Sequence, residues 1–83
     1  MMTRDEVVTV IREFLADELD TDAGAITEES RFREDLEADS LDLYTLVQEL
    51  EDSYGVRMTD EQAASIKTVG QAADFVHAQL TGS

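Results

Sequence analysis

Apolar residues return at helical spacing in three stretches of this chain, and the polar gaps between them carry the rest of its plan. Val7, Val8, Val10, Ile11, Phe14, Leu15 and Leu19 recur three and four residues apart, which lays one broad apolar face along a helix. Thr3 precedes Glu6 by three positions, the hydroxyl and carboxylate of a capping box, so this helix is predicted over residues 4–19. Leu43, Leu46, Val47, Leu50 and Tyr54 share one face of a second helix, predicted over 40–54 with Asp39 as its cap and Gly55 just past its end. Thr59 and Gln62 form another capping pair, opening a short helix over 60–66. Thr68 and Gln71 form a third, opening a last helix over 69–80 whose inner face is Val69, Ala72, Ala73, Val76 and Leu80, joined by Phe75.

The long gap is the stretch from Asp20 to Asp39, where apolar residues thin out to Ile26, Phe32 and Leu36. These are expected to pin an extended loop across the bundle, with a short turn around Arg33 to Leu36. A connection this long in a compact domain is often functional. The prediction is an all-α fold: a four-helix bundle with a short third helix and a long loop between helices one and two. Residues 1–83 form a single domain in this reading.

Composition narrows the chemistry. A chain of 83 residues supports one modest core, and 42% hydrophobic residues with three Phe, two Tyr and no Trp make it an aliphatic one. There is no Cys, which removes disulfides, thiolate metal sites and thiol nucleophiles. There is no Pro either, as suits a helical chain. No apolar run approaches a membrane span, and Met1-Met2-Thr3-Arg4-Asp5 does not open a signal peptide, so a cytoplasmic monomer is expected. Twenty acidic residues against six Lys and Arg leave a formal net charge of −14. That disfavours nucleic acid as a partner and favours basic protein surfaces, with an attraction that salt weakens.

Most site chemistries fail on inspection. Asp20-Thr21-Asp22 begins like a calcium loop, but Gly24, Ala25 and Arg31 stand where a ligand, the turn glycine and a bidentate Glu are required. His77 is the one histidine, beside the apolar face of the last helix, and no Gly-x-Ser-x-Gly elbow or phosphate-binding glycine loop exists. The chain is therefore read as a non-enzyme. Asp35-Leu36-Glu37-Ala38-Asp39-Ser40-Leu41-Asp42 stands out instead. On its own it is a loop entering a capped helix. Its surroundings add more: Leu41 and Tyr44, with Gln48 across a polar gap, fall away from the core face, and Asp39, Asp42, Glu49 and Asp52 flank that side. Apolar anchors inside a charged rim make a contact surface. Ser40, in the first helical turn, is set where a helix end favours an attached phosphate.

This octapeptide resembles the modification motif of acyl carrier proteins. The likeness continues through Leu46-Val47-Gln48-Glu49-Leu50-Glu51-Asp52-Ser53-Tyr54-Gly55-Val56 and Thr68-Val69-Gly70-Gln71-Ala72, and it extends to length, acidity and the long first loop. The resemblance implies that Ser40, flanked by Asp39 and Leu41, carries 4′-phosphopantetheine donated from coenzyme A by a phosphopantetheinyl transferase. The reactive sulfur then comes with the cofactor and holds acyl groups as thioesters. It further implies an acyl pocket lined by Leu43, Leu46, Val47, Ile66 and Ala72. Leu41, Asp42, Tyr44, Thr45, Gln48, Glu49 and Asp52 would meet basic patches on synthases, reductases and acyltransferases. No metal is required, although Glu34, Asp39 and Asp42 match positions where relatives bind divalent cations weakly. Glu37 stands where many relatives have glycine, and Tyr44, Thr45 and Gln48 depart from the commoner residues of the partner face. Delivery of acyl chains in type II fatty acid biosynthesis is the expected role. A stand-alone carrier for a polyketide or other specialised acyl pathway is the alternative within the family. An acidic interaction module without a prosthetic group is the alternative outside it.

Overall fold

The computed structural model describes residues 3–81. Among them are four α-helices: α1 (Arg4–Glu18), α2 (Ser40–Tyr54), α3 (Asp60–Ser65) and α4 (Val69–Leu80), with a 3₁₀ turn at Ala23–Ala25. All four helices start with a reciprocal capping box. Thr3, Thr59 and Thr68 supply hydroxyls to α1, α3 and α4, and α2 uses the carboxylates of Asp39 and Asp42. Each box satisfies two amide donors that a helix end would otherwise leave orphaned. At the far end of α2, Gly55 takes the left-handed conformation, φ 69°, that terminates a helix without Cβ strain.

The all-α expectation holds, and α2 and α4 begin and end where the pattern places them. Two boundaries shift by one residue. Leu19 caps α1 rather than extending it, and Ile66 leaves α3 in extended conformation. Helix α1 packs most extensively on α4 and also touches α2. Val7, Ile11 and Leu15 of α1 meet Val69, Ala73 and Val76 of α4 and Leu46 and Leu50 of α2 in one buried core. Val10 and Phe75 are half-buried and lie outside that core, at the edge of their helices' apolar faces.

The long connection is ordered by its apolar anchors and by backbone pairing. Ile26 and Phe32 are fully buried, and Leu36 is partly buried against the core they join. The segment also runs beside the start of α4. Gly70 N–H donates to Glu28 C=O (2.9 Å), Val69 N–H to Ser30 C=O (3.1 Å) and Phe32 N–H to Lys67 C=O (3.0 Å). A Cβ on Gly70 would come within 3.1 Å of the Glu28 carbonyl oxygen, so glycine lets the two backbones approach. Arg4 spans the same seam, its guanidinium 2.6 Å from Glu28 and also bonded to Asp74. The 3₁₀ turn, which the sequence pattern does not announce, is capped by Asp22 onto Gly24 N–H and held to α1 by Arg12 on the Ala23 carbonyl (2.9 Å). Asp22 is thus used in turn geometry.

Glu37 has φ 56°, a left-handed conformation that costs an L residue about 1–2 kcal/mol. Glycine would relieve that cost and return about half of it through the freer unfolded chain. Glu37→Gly is therefore expected to stabilise the fold by about 0.5–1 kcal/mol, a few degrees in a thermal melt. Glu37→Ala, which keeps the strained Cβ, should give no such gain. Equal melting temperatures for the two variants would count against strain at this position.

Candidate functional site

The approach to Ser40 is built from the turn that Phe32 anchors. Asp35 and Leu36 N–H groups both donate to the Arg31 carbonyl (3.0 and 3.1 Å), and Ala38 N–H closes onto the Phe32 carbonyl at 2.7 Å. This is the turn expected around Arg33 to Leu36. The Arg31 amide and guanidinium both donate to Asp35 and hold its carboxyl below the usual carboxylate range. Arg31 also pairs with Glu34. Buried Ala38 then brings the chain to Asp39, whose carboxylate accepts from Asp42 N–H (3.0 Å) while the Asp42 carboxylate accepts from Asp39 N–H (3.2 Å).

Ser40 is therefore the first residue of a well-capped helix, and it is exposed. Its Oγ accepts a hydrogen bond from Arg33 Nη2 at 3.0 Å. Together with Leu43, Tyr44 and Val47 of α2 and Asp60, Ala63 and Ala64 of α3, these two residues line an open pocket of about 100 Å³ between the two helices. No histidine is among the lining residues, and His77 sits in the last turn of α4.

Deeper between α2 and α3 is a narrow cavity of about 20 Å³, room for roughly one water. Leu43, Leu46, Val47, Ile66 and Ala72, the five residues expected to form an acyl pocket, all line it. Phe32, Leu50, Met58 and Ala63 complete the wall, so every lining side chain is apolar. Leu43, Val47 and Ala63 line both spaces, so the inner cavity lies directly behind the wall of the outer pocket at Ser40. Helix α3 has six residues and none of them is buried, so this wall is held by little packing.

On the outer side of α2, Leu41 is 72% and Tyr44 57% exposed, the two large apolar side chains most open to solvent among the described residues. Gln48, Glu49 and Asp52 are exposed beside them. Two expected members of this face are partly turned inward. Asp42 is half-buried in its cap, and the Thr45 hydroxyl donates to the Leu41 carbonyl (2.9 Å). The three carboxylates expected to bind a divalent cation weakly have other partners. Glu34 pairs with Arg31 while Asp39 and Asp42 bond to amides, and among the described residues no group of three or more His, Asp and Glu side chains is placed to hold a metal.

Sequence reasoning missed Arg33, which reaches Ser40 across seven positions of irregular chain, and, on the α3 side of the pocket, it missed Asp60, Ala63 and Ala64. The adjacent small residues Ala63 and Ala64, in a helix facing α2, were the available signal.

This arrangement has clear counterparts. A family model described as a phosphopantetheine attachment site matches residues 9–76. An acyl carrier protein of Rubrobacter xylanophilus is 49% identical over 75 residues, covering 90% of this chain and 93% of that one. One from Lactobacillus acidophilus is 39% identical over 75 residues, covering 90% and 94%. Among solved structures, an acyl carrier protein from Enterococcus faecalis superposes with a TM-score of 0.79 at 36% identity, covering 93% of this chain and 98% of that one.

Proposed function

The chain belongs to the acyl carrier protein family, a family of carriers and not of enzymes, and from that premise we propose that Ser40 is where its 4′-phosphopantetheine is attached. The residues around Ser40 suit that group. The hydroxyl is exposed at a helix start, a guanidinium lies 3.0 Å from it, and an apolar space opens beside it. When bound, the group supplies the thiol that the cysteine-free chain lacks, and so a thioester link to acyl cargo. Loading belongs to a separate phosphopantetheinyl transferase, since the pocket holds no histidine and the Ser40 hydroxyl is met by a guanidinium rather than a base.

The cargo we infer is a hydrocarbon acyl chain, and the role is delivery in type II fatty acid biosynthesis. One observation carries this: the cavity that shares Leu43, Val47 and Ala63 with the Ser40 pocket is walled entirely by apolar side chains. Burying a methylene there contributes about 0.8 kcal/mol, whereas a keto or amino group would lose hydration with no polar partner in the wall. At about 20 Å³ the cavity must widen to take a chain, and the weakly held α3 is the wall free to yield.

The experiment pairs two measurements. Incubation with coenzyme A, magnesium and a broad-specificity transferase should add one phosphopantetheine by intact mass; no gain would sink the attachment reading. The loaded protein should then support chain extension by reconstituted fatty acid elongation enzymes. Failure at that second step alone would move the role to another acyl pathway.

The exposed α2 face is the proposed docking surface for synthases, reductases and acyltransferases. Leu41 and Tyr44 act as anchors and Glu49 and Asp52 as the acidic rim. Asp52→Lys, which leaves the cap and the core alone, should weaken docking to a basic partner about three- to tenfold at low salt and much less at high salt. Titration calorimetry at two salt concentrations measures this. Equal losses at both would remove the electrostatic part of the reading.

A further inference from the structure

A phosphodiester on Ser40 would bring another negative charge to a segment where Glu37, Asp39 and Asp42 are already acidic. The start of α2 offers less compensation than a bare helix end, because the Asp42 amide is already occupied by the Asp39 carboxylate. The cation of the pocket is Arg33. Neighbouring Arg31 is committed to Glu34 and Asp35, whereas Arg33 forms no ion pair with the described acids, Asp60 of the same pocket included. Its guanidinium is instead turned to the Ser40 hydroxyl, 3.0 Å away. The backbone beneath it is fixed by Phe32, one residue earlier and 1% exposed. An exposed side chain thus leaves a rigid base.

We propose that Arg33 is a positioning residue for the modified serine, its guanidinium holding the phosphodiester oxygens at the mouth of the pocket between α2 and α3. This rests on Ser40 being the attachment point. Esterification leaves an acceptor oxygen on Ser40 and adds beside it two non-bridging oxygens that share one negative charge. A neutral hydrogen bond then becomes a charge-assisted one, with a planar fork of donors matched to the phosphate. The contact is exposed, so its effect falls on where the arm leaves the helix and hardly on the stability of the fold.

The test uses the whole chain as wild type, Arg33→Gln and Arg57→Gln, each loaded by the transferase and checked by intact mass. Arg57 has no part in the Ser40 pocket, so its variant removes the same charge at another place. The readout is the ³¹P resonance of the phosphodiester at low salt. We expect Arg33→Gln to displace it from the wild-type position and Arg57→Gln to leave it there. A displacement no larger in Arg33→Gln than in Arg57→Gln overturns the proposal while the attachment reading stands. Failure of the wild type to load overturns both.

Discussion

Ser40→Ala is expected to yield a folded protein that gains no phosphopantetheine under conditions where the wild type is fully converted. The two halves of this outcome come from separate parts of the structure. The start of α2 is held by Asp39 and Asp42 bonding each other's backbone amides, and the Ser40 hydroxyl takes no part in that box. Its hydrogen bond comes from an exposed arginine. Alanine is the best helix former, so stability should change by no more than about 0.5 kcal/mol. Modification should fall from complete to none, because the other described serines lack the setting. Ser30 is buried, the Ser53 hydroxyl donates to Glu49, and the Ser65 hydroxyl donates to the Gln62 carbonyl. Intact mass and a thermal melt on the same sample check both halves. A mass gain that survives in Ser40→Ala would move the attachment point elsewhere. A lost gain with a collapsed melt would show only that the variant had unfolded.

What the sequence discloses here follows from how local each determinant is. Helix starts are legible because a capping box is a four-residue device: Thr59 to Gln62 and Thr68 to Gln71 announce α3 and α4 directly. The apolar pocket is legible because Leu43, Leu46 and Val47 must turn toward whatever α3 and α4 present, whichever way those helices cross. The loop is legible only at its anchors. Ile26 and Phe32 stand out as apolar residues among polar ones, but pairing of Ser30 and Glu28 with the start of α4 depends on two segments some forty residues apart. No local pattern encodes it. Arg33 is the same case at the site. In sequence it is one cation in a turn, and only the fold swings it onto Ser40. The carboxylates at the same turn show it again: close in sequence, they take separate partners, amides for Asp39 and Asp42 and a guanidinium for Glu34.

Phe32 connects the fold to the site, and Phe32→Ala should be the costliest single truncation tested outside the helices. Its side chain is 1% exposed and is the largest of the fully buried ones. Removing a buried phenyl ring costs about 3–5 kcal/mol in lost transfer energy and cavity. An 83-residue domain has only about 4–12 kcal/mol in total at roughly 0.05–0.15 kcal/mol per residue. The variant should therefore lose at least about 12 °C in a thermal melt, and at the low end of that range it will not fold. Leu41→Ala also truncates a large apolar side chain, but one that is 72% exposed, and should stay within about 0.5 kcal/mol of wild type. The contrast matters because Phe32 also lines the inner cavity, and its backbone groups hold Lys67 on one side and Ala38 on the other. Loss of the ring would loosen the turn that carries Arg33 and sets Ser40 at the head of α2. Below its own melting point, a folded Phe32→Ala should thus be loaded by the transferase more slowly than wild type. A loss under about 1 kcal/mol, or wild-type loading at unchanged stability, would mean the long connection is held by its backbone pairing with α4 alone.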